Sequence, residues 1–260
     1  GQVEAPLLIK PYLSSMTRHE LLIIMTVGMS TIAGSVMVVY TTMLFPIYGS
    51  GLIGHFLSAS LISVPAAIMY ANMMIPSNEK TDFPDEKSDE MYSSIMDAIT
   101  QGTKNGLDIF LNVIAMLIVV MALVFLVNSI LGLLPNLNGN PITLELMLGY
   151  LFAPLAWFMG IPWSESIMAG QLLGVKTALN EFVAYLYLSD TETYQLADKS
   201  RMIMLYALCG FANFSSVGIL LSGLSAMVPE RRADLISVSG KALWCALLAS
   251  CLTGFIIGIL

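Results

Sequence analysis

The sequence predicts an all-α integral membrane protein, an inverted repeat in which re-entrant hairpins pair with discontinuous transmembrane helices. Three observations carry that reading. Hydrophobic residues make up 57% of the 260-residue chain and charged residues 11%, against about 45–50% and about 25% in soluble domains; the mean hydropathy is +0.79. From Leu21 to Asn78 no residue carries a formal charge, far more than the roughly 20 residues one helix needs to cross a bilayer. Two short apolar segments, each led by a glutamate, precede spans that small polar residues interrupt midway.

The elements follow in order. Residues 1–13, "GQVEAPLLIKPYL", are too short to span and are expected to form the second limb of a re-entrant hairpin. The chain opens mid-pattern and without methionine, so it is expected to be the C-terminal part of a longer protein. Spans are predicted at 21–44 and 51–74, with Pro46, Gly49 and Gly51 in the turn between them. The first is broken at "STIAGS", and 1–75 forms one region. Residues 76–106 are polar and acidic; Met91, Ile95, Met96 and Ile99 fall at helical spacing and predict an amphipathic interfacial helix. Residues 107–141 hold a long scaffold helix, apolar over 107–133. The last region, 142–260, begins with an interfacial helix at 142–158, marked by Trp157 and, nearby, Trp163. A second hairpin follows at 162–188 with the polar "ALNE" at its tip, then a span at 202–228 broken at "ANFSS", and a last span at 242–260.

Charge orients these elements. With the first limb returning to the cytoplasm, 76–106 and 229–241 are cytoplasmic, and 134–145 and 189–201 are external. The inside then holds Arg18, Lys80, Lys87, Lys104, Arg231, Arg232 and Lys241, the outside only Lys199 and Arg201, as the positive-inside rule requires. The two hairpin-plus-broken-span units enter from opposite faces, the inverted repeat of a secondary transporter. A net charge of −7 without a basic cluster argues against a nucleic-acid partner. Cys209, Cys245 and Cys251 lie within spans at spacings that suit neither zinc nor a disulfide framework, and are expected to pack as small apolar residues. No cleavable signal pattern stands at the start.

Glu4 and Glu181 are the candidate functional residues. A carboxylate at bilayer depth costs at least a few kcal/mol and so faces a cavity, a partner or a substrate. Each sits at a half-helix start, where free N–H groups and the positive dipole end favour negative charge. The structural alternative is a helix cap, or an ion pair with Lys10 or Lys176. Asn213, Ser215 and Ser216 offer donors and acceptors suited to vicinal sugar hydroxyls, or else interhelical hydrogen bonds. Thr31 and Ile32, in the first broken span, mark where freed carbonyls would suit a hard cation; a threonine bonded to its preceding turn is the other reading. Ser30 with Gly34, and Gly254 with Gly258, are small-residue packing signals. His19 and His55 are expected at loops or interfaces.

These motifs resemble the concentrative nucleoside transporter family. Its signature stands complete in Gly174, Lys176, Asn180, Glu181, Phe182, Val183, Ala184 and Tyr185, and "GQVEAPL" at 1–7 and "GFANFSS" at 210–216 also match. The resemblance implies a sodium- or proton-driven nucleoside importer in the plasma membrane of a bacterium, a homotrimer within the lipid bilayer, with no cofactor beyond the coupling ion. It implies that Gln2 and Glu4 bind the base, that Val36 lines the pocket, and that Glu181, Asn213 and Ser216 hold the ribose against Phe211. It assigns Thr31 and Ile32 to part of a sodium site. Val3 departs from the family's usual Thr or Ser and removes a hydroxyl near the base.

Two other classes compete. An intramembrane hydrolase would need a catalytic pair or a zinc motif, and no histidine lies near a mid-span serine. A structural or channel protein would not need acidic hairpin tips of opposite polarity.

Overall fold

A computed structural model describes residues 2, 4–77, 79, 93–135 and 141–260. Val3, Met91, Lys80 and Lys87, singled out in the sequence, lie outside the described residues, as does the Glu4 side chain. The chain divides into two units, residues 1–84 with 145–260, and residues 85–144.

Among the described residues of the first unit every regular element is helical. The unit opens with two single turns, α1 (Glu4–Leu7) and α2 (Lys10–Leu13). The first broken span follows as α3 (Arg18–Ser30) and α4 (Gly34–Tyr48). Thr17 starts α3 with a capping box: its side chain accepts from the Glu20 N–H while the Glu20 carboxylate accepts from the Thr17 N–H. The interruption is Thr31–Ala33, where Thr31 and Ala33 are extended. α5 (Leu52–Met74) follows after the turn at Gly49 and Gly51 and packs against α3 and α4.

The second unit holds α6 (Ile95–Leu131), 37 residues and roughly 55 Å at 1.5 Å per residue. Among the described residues of the predicted interfacial stretch, Ile95, Met96 and Ile99 are exposed residues of the first turns of α6. Ser94 caps that helix, its side chain accepting from the Asp97 N–H. No proline interrupts the chain from there to Leu131, and the glycines at 102 and 106 are each too weak a breaker to end a helix.

The first unit resumes with α7 (Leu144–Phe158) and α8 (Trp163–Ala178), which meet at a 117° bend. Glycines make that junction close. A Cβ on Gly170 would lie 2.4 Å from the Gly149 carbonyl oxygen, and one on Gly174 2.3 Å from the Leu148 Cβ. α9 (Glu181–Ser189) packs on α8 across the break at Leu179 and Asn180. The second broken span is α10 (Asp198–Ala207) and α11 (Phe214–Met227). After a 3₁₀ turn at Pro229–Arg231, α12 (Arg232–Ile259) runs unbroken. It starts well before the predicted 242, because hydropathy marks where lipid begins and the polar turns before it stay helical up to Pro229.

α12 is the post of this unit and touches α3, α5, α10 and α11. Its small residues permit that. A Cβ on Gly258 would lie 2.4 Å from the Met159 carbonyl oxygen, and one on Gly254 3.0 Å from the Ala207 Cβ. The Ser30–Gly34 signal has no such role, since nothing lies within 4 Å of a Cβ on Gly34. Ala66, Ala67 and Ala249 form a dry contact between α5 and α12, and Ser63 and Thr253 share a hydrogen bond of 3.1 Å there. The three cysteines are free and buried.

Two ends of the unit are tied. At one, Arg231 donates to the Ser14 and Met16 carbonyls at 2.7 and 2.6 Å, and Asp234 pairs with Arg18 and Arg231 at 3.3 and 2.9 Å. At the other, the Tyr48 hydroxyl donates to the Arg201 carbonyl at 3.2 Å. Among the described residues three helical stretches are long and apolar enough to cross a membrane, 18–48, 52–74 and 229–259.

Candidate functional site

Each helix break near the middle of the first unit's later half is closed by an asparagine. Asn180 is extended and its Oδ1 accepts from the Val183 N–H at 2.9 Å, capping α9. Asn213 does the same for α11, accepting from the Ser216 N–H at 2.7 Å. Such caps satisfy N–H groups that have no helical partner.

The cap of α9 puts Glu181 in its first turn, and the carboxylate is only 5% exposed. It is held from two other elements. Oε1 accepts from the Tyr40 hydroxyl of α4 at 2.8 Å. Oε2 accepts from Asn213 Nδ2 at 2.8 Å. Asn213 thus uses its oxygen to cap α11 and its amide to orient the glutamate. A carboxylate offers about four lone-pair sites, so two protein donors leave acceptor capacity on both oxygens. Behind it stands an aromatic wall. Tyr40 packs against Tyr185, Phe182 and Phe56 with centroids 4.7, 6.1 and 6.3 Å away, and the Tyr185 hydroxyl donates to the Leu205 carbonyl at 2.8 Å.

The two broken spans cross at their breaks. Gly210 has φ +106°, and a Cβ there would sit 2.5 Å from the Ser30 carbonyl oxygen. Only glycine tolerates that conformation and that approach together. Next to the crossing, the Thr31 hydroxyl donates to the Val27 carbonyl at 3.0 Å, the bond to the preceding turn. The Ile32 N–H donates to Ser60 Oγ at 3.3 Å. Gln2 lies against α3 at Gly28, whose added Cβ would be 3.5 Å from the Gln2 carbonyl oxygen. Its own Oε1 is buried with no hydrogen-bond partner among the described residues.

The structure therefore joins Glu181 to Asn213 directly, and Ser216 to Asn213 through its backbone N–H. It places Thr31 and Ile32 at the crossing and Val36 one turn before Tyr40 on α4. Phe211 is half-buried in the break between Gly210 and Asn213, and Ser215 is half-buried at the start of α11. Among the described residues Lys176 pairs with no carboxylate; its Nζ donates to the Ala207 carbonyl at 2.8 Å and the Cys209 carbonyl at 3.5 Å. Of the two histidines expected at loops or interfaces, both are in first helical turns: His19 follows Arg18 in α3, and His55 in α5 shares a 2.8 Å hydrogen bond with the Tyr206 hydroxyl. Sequence reasoning missed Tyr40, whose only local signal is a hydroxyl within an apolar run, and named Tyr185 as a signature residue without giving it a role. Among the described residues no three His, Cys, Asp or Glu side chains converge as a metal centre.

Interrupted helices that cross at mid-bundle, with a buried carboxylate at a hairpin tip, define an inverted-repeat membrane transporter fold. The family profile described as "Na+ dependent nucleoside transporter C-terminus" matches residues 55–258, and the chain belongs to that family, which is one of transporters and not of enzymes. It is 41% identical to the uncharacterized transporter YutK of Bacillus subtilis, over 99% of this chain and 63% of the relative. It is 37% identical to the nucleoside permease NupC of Helicobacter pylori, over 100% of this chain and 62% of the relative. It is equally 37% identical to human solute carrier family 28 member 3, over 100% of this chain and 40% of the relative. Among solved structures it resembles CNTnw in an inward-facing substrate-bound state, at a TM-score of 0.87 and 36% identity over 100% of this chain and 61% of that one. A variant of CNTnw in an outward-facing state superposes with a TM-score of 0.86 at 35% identity, again over 100% and 61%. The chain spans about three fifths of the length of its bacterial relatives.

Proposed function

We propose that the protein carrying this chain takes up nucleosides across the bacterial plasma membrane by alternating access, coupled to sodium, and works as a homotrimer. The observation that carries this reading is the Glu181 carboxylate, buried at the start of a half-helix, oriented by Tyr40 and Asn213 and left with acceptor capacity. Adjacent ribose hydroxyls are donors that fit those free lone pairs, and a charge-assisted bond to each is stronger than a neutral one. Asn213 holds the carboxylate, Ser216 in the first turn of α11 supplies a further ribose partner, and Phe211 supplies an apolar face for the nucleoside. The base lies toward Gln2, Val3 and Glu4, with Val36 lining the pocket; the unpartnered Gln2 Oε1 is an acceptor for a base N–H.

Sodium is the second substrate. Thr31 Oγ1 keeps acceptor lone pairs after donating to Val27, and the α3 carbonyls beside Ile32 end without a further helical turn. Oxygen donors of that kind are what unwound helices offer to sodium. CNTnw has been captured in inward-facing, intermediate and outward-facing states, which supports alternating access for this relative of it. Uptake of radiolabelled uridine into vesicles containing the full-length protein tests the reading. An inward sodium gradient is expected to drive accumulation that vanishes when sodium is replaced by choline. Uptake that ignores sodium and follows an imposed pH gradient would assign the coupling to protons; no uptake under either gradient would reject the transport reading.

A further inference from the structure

Lys176 is a fully buried cation that the site described above leaves unused. A buried ammonium without compensation is expensive, and among the described residues the hydrogen bonds of Lys176 go to main-chain oxygens. Those oxygens belong to the break of the second interrupted span. α10 ends at Ala207, so its last four carbonyls have no further helical turn to bond. Each is accounted for. Leu205 accepts from the Tyr185 hydroxyl, Met204 from the Leu208 N–H at 2.9 Å, Tyr206 from the Cys209 N–H at 3.1 Å, and Ala207 from Lys176 Nζ at 2.8 Å. Just beyond, the Cys209 carbonyl accepts from Lys176 Nζ at 3.5 Å and from Ser250 Oγ at 3.3 Å. One full positive charge thus sits at the negative end of the α10 dipole, where it is favoured.

The other interrupted span ends differently. At the close of α3 the described donors are neutral hydroxyls, Ser30 Oγ and Thr31 Oγ1, both to the Val27 carbonyl at 3.2 and 3.0 Å. The two breaks touch through Gly210 and the Ser30 carbonyl. We propose that the Lys176 ammonium is a tethered cation occupying the second helix break, in the position that the inverted repeat leaves to a diffusible cation at the first. This rests on the reading of the Thr31 break as the sodium site. Lys176 is a positioning residue: it stands on α8 in the same hairpin as Glu181, so its hold on the α10 break fixes Glu181 relative to Asn213. The hairpin of α8 and α9 and the break of α10 and α11 therefore stay joined whether or not sodium is present.

Chemical rescue tests this in the full-length protein. Lys176→Ala removes the ammonium and three methylenes, which n-propylammonium replaces and 1-propanol replaces without the charge. At saturating sodium the variant is expected to bind uridine at least tenfold more weakly and to melt at a lower temperature. Millimolar n-propylammonium is expected to recover most of both losses, and 1-propanol neither. Recovery by propanol equal to that by propylammonium, or by neither, would overturn the proposal, since a packing role needs no charge. If the variant does not fold unaided, the yield of monodisperse protein purified with each additive reads the same comparison. The melting temperature is independent of uridine, so rescue of stability without any uridine binding would reject the nucleoside reading and leave the tethered cation standing.

Discussion

At the scale of single residues, the carboxylate of Glu181 carries the most specific expectation. Its two protein donors orient it without exhausting it. Glu181→Gln keeps the shape and the helix start but removes the charge and turns one acceptor into a donor. Loss of a hydrogen bond to a charged group costs roughly 1.5–3 kcal/mol, so uridine is expected to bind about ten- to a hundredfold more weakly. A 2′,3′-dideoxy nucleoside lacks the partner hydroxyls and is expected to lose far less. Calorimetry with both ligands on wild type and variant checks this; equal losses would show that Glu181 serves as a helix-start residue and not as a ribose ligand.

At the scale of elements, the decisive contact is between two helix breaks. Gly210 combines a positive φ with a carbonyl against its Cα. Gly210→Ala forces a non-glycine residue into a sparsely populated conformation, worth about 1–3 kcal/mol, and drives its Cβ onto the Ser30 oxygen. A marked fall in melting temperature and in uridine binding is expected. Gly54→Ala is the matched control. Gly54 is within α5, nothing lies within 4 Å of its added Cβ, and alanine is favoured in helix interiors by up to about 1 kcal/mol. Its melting temperature is expected to hold or rise. A fall of equal size in both variants would contradict the crossing as the sensitive point.

For the whole molecule, the tied ends of the first unit bear on orientation. Arg18, Arg231 and Asp234 gather residues 14–18 and 231–237 at one end, and the loop near Arg201 lies with Tyr48 at the other. Loop charge assigns the first end to the cytoplasm. In a cysteine-free full-length protein, a cysteine replacing Asp190 is expected to react with an impermeant thiol reagent from outside, and one replacing Ser237 only after permeabilisation. The reverse pattern would invert the assignment.

The sequence by itself determined the helical membrane class, the two interrupted spans, the hairpin tip at Asn180 and the polar set of Glu181, Asn213 and Ser216. These are local properties: lipid selects apolar runs, and small polar residues or a charge within such a run mark where the helix must stop or be compensated. Helix ends were less legible, as α6 and α12 show, because hydropathy records depth in lipid while a helix continues until a proline or a cap ends it. Only the tertiary structure decided the partners. Tyr40 lies 141 positions from Glu181, and no periodicity in "VMVVY" points to it. Lys176 was legible as a signature residue but not as the donor to Ala207, since that bond depends on where α8 crosses the end of α10. The contact of Gly210 with Ser30 likewise exists only because two half-helices are packed end against end, which fixes the site by distance in space rather than by spacing along the chain.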